Sequence, residues 1–402
     1  MKKILIQFKR ILTGRFLSIF RNLRFLLLCI IPRITKKNLF FNKEDIGVLL
    51  IGSPPDSGLG LTLRSIYDVL VSTVTCDIMY LRPPKFKLST SRNSIKKKIN
   101  IFVGTPNFLA GTIFKKNMFF SIYRNFNVGV WFWEIENPPK EWALINQWTD
   151  EIWVQTDFVY KIFKKVSSNV YKIPFSIDIK WNKNKTRSYF NLPEKKFIFL
   201  FTFDFWSCYV RKNPEAVIEA FKKAFANRND VFLLIKTTHG EDLQDDMNRL
   251  ISVIGGAPNI ELRNIFISDE DQYSLLNTCS AYVSLHRSEG LGLGLAEAMF
   301  LGKPVIATNY SGNLEFMNKK NSCLVNYSLT PVERNNSYPY PYTAKQFWAE
   351  PDCNHAAYFM KKIKDNFVFR EKISSQAASD MKKYNAENFQ KAILSRINRI
   401  NG

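Results

Sequence analysis

Residues 281–308 run as a strand, a glycine loop, a helix and a second strand with almost no spacer, and this order admits little except a parallel α/β unit. "AYVSL", 281–285, is a short apolar run of the kind that forms a buried strand. "HRSEGLGLGL" then places glycines at 290, 292 and 294. Residues 295–301 carry a helical pattern closed by Gly302 and Pro304, and Val305 to Thr308 reads as the next strand. The loop therefore stands at the carboxyl end of a parallel sheet, where open α/β folds bind their ligands.

An upstream stretch repeats this logic. A strand is expected over 46–51, followed by a loop with Gly52, Gly58 and Gly60, and a helical pattern from Leu61. Strands are also expected at 76–81, 99–104, 128–133, 151–154 and 169–173, with helices at 139–147 and 158–165. The polar, basic run 180–187 is a candidate hinge. Beyond it a second series alternates strands at 197–203, 231–236 and 260–265 with helices at 214–225, 243–253 and 271–277. Two Rossmann-like domains facing across a cleft are the expected architecture. Their bounds are 44–179 and 180–383, with a final helix over 384–400 packing back on the first domain. The Tyr/Pro-rich stretch 327–352 fits neither element type.

The chain has 402 residues, enough for two cores at 46% apolar content. Lys and Arg number 57 against 35 Asp and Glu, a net charge of +22, which calls for an anionic partner. Residues 1–40 hold ten Lys/Arg and no acid, so they carry +10 of that charge and make most of a basic N-terminal arm, 1–43. Leu5, Phe8, Leu12, Phe16, Ile19, Leu23, Leu26 and Ile30 form an apolar helical stripe within it. The apolar run 25–31 is far short of the roughly 20 residues that span a bilayer. The arm is thus expected either to lie on an anionic membrane surface or to pack on the first domain. Six cysteines without metal-ligand or framework spacing point to reduced thiols in a cytoplasm, and three isolated histidines give no metal cluster.

Gly290, Leu291 and Gly292 suit a helix N-terminus that meets phosphate oxygens, although Gly-x-Gly-x-Gly is not the dinucleotide fingerprint. Glu289 stands at the mouth of that loop, with Glu297 about two turns beyond. A carboxylate grips vicinal hydroxyls, so one glutamate suits a sugar and the other a ribose, with pyrophosphate between. "SDED", 268–271, reads as an N-cap with acids in the first helical turn rather than a metal motif. His286 either touches the donor sugar or supports the loop.

Glu289 and Glu297 with seven residues between them, followed by "GKPVIATNYSGNLEFM" and "NSCLV", resemble the donor-site signature of glycosyltransferase family 4. "GVWFWEIENPPKEW", "RKNPEAVIEAF" and "WAEPD" are similar to stretches in one branch of that family. The resemblance implies a GT-B fold and retaining transfer from a nucleotide-diphosphate sugar, with UDP or GDP as the nucleotide. It implies a ribose role for Glu297, a donor-sugar role for Glu289 and neutralisation of the diphosphate by Lys212, assisted by Arg211. The family's further arginine is missing from "FTFDFWS", and Lys236 is a substitute at a strand end. Gly58 and Gly60 resemble the loop lining the acceptor cleft, with Trp133 and Glu134 at its edge. Trp133 also reads as core. The implied partners are a nucleotide-sugar donor, a glycan or lipid-linked acceptor and an anionic membrane surface. Neither a metal nor another cofactor is expected, and a peripheral place at the inner face of the plasma membrane is. A nucleotide- or nucleic-acid-binding protein of Rossmann type without transferase activity is the alternative. It lacks any helix-turn-helix or aromatic single-strand platform, and a dinucleotide oxidoreductase lacks its glycine spacing.

Overall fold

Along β1, Gly47–Gly52, neighbouring side chains enter different cores: Leu49 and Ile51 join one, Val48 and Leu50 the other. Burial on both faces explains why the strand reads as a continuous apolar run rather than an alternating one. The computed structural model describes residues 47–53, 58–80, 99–107, 109, 125–140, 142–226, 228–332 and 346–401. The basic arm, and with it the expected amphipathic stripe, lies outside them.

In the first domain β1 is followed by α1 (Gly58–Leu70), β2 (Thr75–Tyr80), β3 (Ile99–Gly104), β4 (Phe126–Trp131), α2 (Trp142–Asn146), β5 (Glu151–Val154), α3 (Asp157–Lys164) and β6 (Val170–Lys172). The six strands are all parallel in the order β2-β1-β3-β4-β5-β6. Thr156 caps α3, its hydroxyl accepting from the Val159 N–H at 3.2 Å.

The second domain runs β7 (Phe197–Asp204), α4 (Tyr209–Lys212), α5 (Pro214–Phe225), β8 (Val231–Thr238), α6 (Gln244–Ile254), β9 (Ile260–Asn264), α7 (Asp269–Thr278), β10 (Ala281–Ser284), α8 (Leu293–Phe300), β11 (Val305–Thr308) and β12 (Cys323–Val325). Its parallel order is β12-β11-β10-β7-β8-β9, so the chain reverses direction across the sheet between β7 and β10. A crevice opens at such a switch point, outside the carboxyl ends of the two strands. Pro214 at the first helical position starts α5, and Ser268 caps α7 by accepting from the Asp271 N–H.

The unplaced stretch begins and ends as an antiparallel pair, β13 (Tyr327–Pro331) with β14 (Phe347–Pro351). Two helices absent from the expected series follow, α9 (Cys353–Asp365) and α10 (Phe367–Met381). The last helix, α11 (Ala386–Asn401), packs Phe389, Ile393 and Ile397 among Val48, Leu50 and Leu63 of the first domain. Among the described residues no helix is long and apolar enough to cross a membrane.

Candidate active site

The loop between β10 and α8 is held from below and from across the cleft. Gly292 has φ 85°, a left-handed conformation that an L side chain adopts only with strain. Gly290 lies against the first domain: a Cβ there would stand 3.1 Å from the Trp133 carbonyl oxygen. The Thr156 hydroxyl donates to the Gly290 carbonyl at 2.9 Å, and the Ser288 hydroxyl donates to the Glu134 carbonyl. From below, the Glu289 N–H donates to Ser311 Oγ and the Gly312 N–H to the Glu289 carbonyl, each at 2.8 Å.

His286 is fully buried under this loop. Its Nε2 lies 3.2 Å from Asn313 Oδ1 and 3.4 Å from the Tyr310 carbonyl, and its Nδ1 lies 3.3 Å from Ser284 Oγ. Burial lowers its pKa, so the neutral ring is favoured. Its ring is enclosed by these contacts beneath the loop.

Lys212, Arg211, Glu289 and Glu134 converge beside the loop. Lys212 Nζ lies 2.5 Å from Glu289 Oε1, and Arg211 reaches Glu289 Oε2 at 3.2 Å and Glu134 at 3.6 Å. Burial opposes ionisation of Glu289, yet the charges of Lys212 and Arg211 outweigh it and hold the carboxyl at about 2. Arg211 is buried and also donates to the carbonyls of Ser288 and Ser207, at 2.8 and 2.7 Å. The short helix α4 carries both cations between two left-sided backbone positions, Cys208 at φ 75° and Asn213 at φ 55°. Non-glycine residues held there mark a turn that the surrounding packing imposes.

Glu297 sits on the fifth residue of α8, closer to the loop than the two turns expected. Tyr273 Oη donates to its Oε1 at 3.4 Å, and burial pushes the carboxyl up to about 7. Lys236, on β8 in register with Thr202, is 9% exposed. Burial lowers its pKa against the opposing charge of Asp204. Among the described residues no hydrogen bond or ion pair reaches its ammonium. At the strand ends nearby, His239 Nδ1 meets Asp204 at 2.8 Å and its ring stacks on Trp206 at 3.4 Å, with Phe266 edge-on at 4.7 Å. Trp206 and Phe266 are exposed. Sequence reasoning missed this aromatic cluster; the only signal was aromatics after three successive strands.

On the other side of the cleft Gly58 and Gly60 open α1, and nothing lies within 4 Å of a Cβ built on Gly58. The Trp133 side chain is core, edge-on to Trp142 at 4.7 Å, and its backbone lies against Gly290. Glu134 keeps its side chain one-quarter exposed. "SDED" forms the first turn of α7, where Lys185 pairs with Glu270 and Asp271, each at 2.7 Å. Among the described residues no three His, Cys, Asp or Glu side chains are grouped to hold a metal.

Two parallel six-stranded domains meeting at this crevice define the GT-B class of fold. Residues 182–328 match the family model described as glycosyl transferases group 1. HepE from Anabaena, solved with UDP and glucose, is 15% identical, with 88% of this chain and all of that one aligned at a TM-score of 0.64. Sucrose-phosphate synthase from Thermosynechococcus elongatus is 13% identical over 88% and 99% of the two chains, at 0.67. A glycosyltransferase from Rickettsia africae is 13% identical over 89% and 99%, at 0.64. At such identities the likeness is one of fold. No curated protein matches the sequence.

Proposed function

We propose that this protein is a glycosyltransferase that moves a sugar from a UDP- or GDP-sugar to a glycan or lipid-linked acceptor, with retention at the anomeric carbon. The observation that carries the reading is the meeting of Lys212, Arg211 and Glu289 at the switch point of the second sheet, beside the N-terminus of α8. The match of residues 182–328 to glycosyl transferases group 1 supports it from sequence.

In this reading the ionised Glu289 accepts hydrogen bonds from the donor sugar's hydroxyls, and Glu297 takes the ribose. The diphosphate lies against the backbone of Gly290, Leu291 and Gly292. Because Lys212 and Arg211 are already paired with Glu289, Lys236 is the cation left uncommitted for phosphate. As the bond to the leaving group breaks, Lys236, a redistributed Lys212 and the helix terminus stabilise the growing negative charge without a metal. Glu134, Gly58, Gly60 and the Trp133 backbone border the acceptor side. We further propose that the basic arm holds the protein on the cytoplasmic face of an anionic membrane, as in surface polysaccharide or glycolipid synthesis in bacteria.

Thermal unfolding with UDP, GDP, NAD and an oligonucleotide tests the class of ligand. A bound ligand stabilises the fold by RT ln(1 + [L]/Kd). A nucleoside diphosphate should give the largest shift; a larger shift with NAD or the oligonucleotide would overturn the reading.

A further inference from the structure

The N-terminus of α3 is held to the second domain by two side chains, one from each domain. Thr156, fully buried, donates its hydroxyl hydrogen to the Gly290 carbonyl at 2.9 Å while accepting from the Val159 N–H at 3.2 Å. The next backbone N–H, of Asp157, donates to the Glu315 carboxylate of the second domain at 2.8 Å, and Lys172 pairs with that carboxylate at 3.0 Å. Glu315 closes the short turn Gly312–Glu315, which packs on the glycine loop.

The Gly290 carbonyl is thus fixed from two sides. A Cβ on Gly312 would stand 2.0 Å from its oxygen, so bare backbone packs against it, and Thr156 supplies its hydrogen bond. The peptide is planar and trans, so the N–H that shares it, that of Leu291, points away from the carbonyl. Among the described residues no hydrogen bond takes this Leu291 N–H. Glycine resists rotation of such a peptide less than any other residue. What sets the direction of the Leu291 amide is therefore the bond that Thr156 makes from the other domain.

We propose that Thr156 is a positioning residue for sugar transfer: it turns the Leu291 amide toward the donor's diphosphate, and only while the two domains are together. The inference rests on the glycosyl-transfer reading, which lays the diphosphate against this backbone. Thr156 touches no reacting atom and acts through the peptide between Gly290 and Leu291. An aligned amide counts most as the leaving group gains charge, so its loss falls on kcat more than on KM.

The test follows release of nucleoside diphosphate from the donor that the unmodified protein turns over, for Thr156→Val, Thr156→Ser and Thr156→Asp. Valine keeps the shape of threonine but has no hydrogen to give, and serine restores one. Aspartate at pH 8 still caps α3 by accepting from the Val159 N–H, yet has no hydrogen for Gly290. The valine and aspartate variants should each lower kcat about tenfold or more with KM within about threefold. The serine variant should keep kcat within about threefold. If valine, lacking the cap, leaves the protein unfolded, the aspartate variant decides. Turnover within threefold in a folded variant without the hydrogen, a serine variant as slow as valine, or a loss confined to KM would overturn the assignment and leave Thr156 a helix cap. Turnover of no donor by the unmodified protein would instead sink the glycosyl-transfer reading.

Discussion

Lys212 Nζ stands 2.5 Å from Glu289 Oε1, although 77 residues separate the two in the chain. The contact ties the loop after β7 to the loop after β10 across the switch point of the sheet. It also means that the lysine expected to neutralise a diphosphate is already neutralised. Replacing Glu289 with Gln should therefore leave UDP or GDP affinity unchanged or tighter, since Lys212 is released to the phosphate. A loss of nucleotide affinity beyond about threefold in titration calorimetry would contradict this division of labour.

Glu297 gives a pH signature. Its folded pKa, about 7, is raised above the ordinary carboxyl value of 4.5. The folded state therefore holds more protons than the unfolded one between those values, and this residue's contribution makes stability fall as pH rises from about 4.5 to about 7. Ribose hydroxyls donate to the ionised form, so nucleotide binding should favour proton release. UDP affinity should rise between pH 6 and pH 8 by up to about tenfold per unit at its steepest. The Glu297→Gln variant should lose that part of the rise and bind more weakly by roughly tenfold or more, the worth of a charged hydrogen bond. Parallel pH profiles for the two proteins would remove the ribose role.

Lys236→Met replaces a buried, unpartnered ammonium with an apolar chain of similar length. Such replacements are commonly neutral or stabilising, because no paired charge is stranded. The variant should unfold at the same or a higher temperature yet bind UDP and GDP about ten- to a hundredfold more weakly. A destabilised variant with intact nucleotide binding would make Lys236 structural.

Much of this site was readable because local chemistry marks it. The run Phe197–Phe203, Pro214 at a helix start and Ser268 before three acids each name their element from a few residues. Glu289 and Glu297 stood out as carboxylates in an otherwise apolar, glycine-rich stretch. What stayed hidden depends on packing between distant segments. The pairing of Lys212 with Glu289, the burial of Arg211 and the sealing of His286 beneath Asn313 leave no periodic trace. Helix α9 was missed because half of its buried stripe is alanine, Ala356 and Ala357 beside Met360 and Ile363. Thr156 reads as an ordinary polar residue before a helix until the glycine loop of the other domain meets it.

For the arm, the full-length protein should pellet with anionic liposomes and be released by salt. Each Lys or Arg near such a surface contributes about 1 kcal/mol, and there are ten in residues 1–40. Deleting those residues should abolish pelleting without changing nucleotide affinity. Unfolding of the truncated protein, or indifference of the intact one to liposomes, would make the arm a structural element.

The central claim is that the cleft carries out sugar transfer without a metal, with Glu289 gripping the sugar. The most direct measurement follows release of nucleoside diphosphate from a panel of UDP- and GDP-sugars, with and without EDTA, for the protein and its Glu289→Ala variant. One donor should be turned over at a rate that EDTA leaves intact and that the variant lowers at least a hundredfold, with the product keeping the donor's anomeric configuration by NMR. Release from no donor, loss of activity in EDTA restored by magnesium or manganese, or an inverted product would contradict the account.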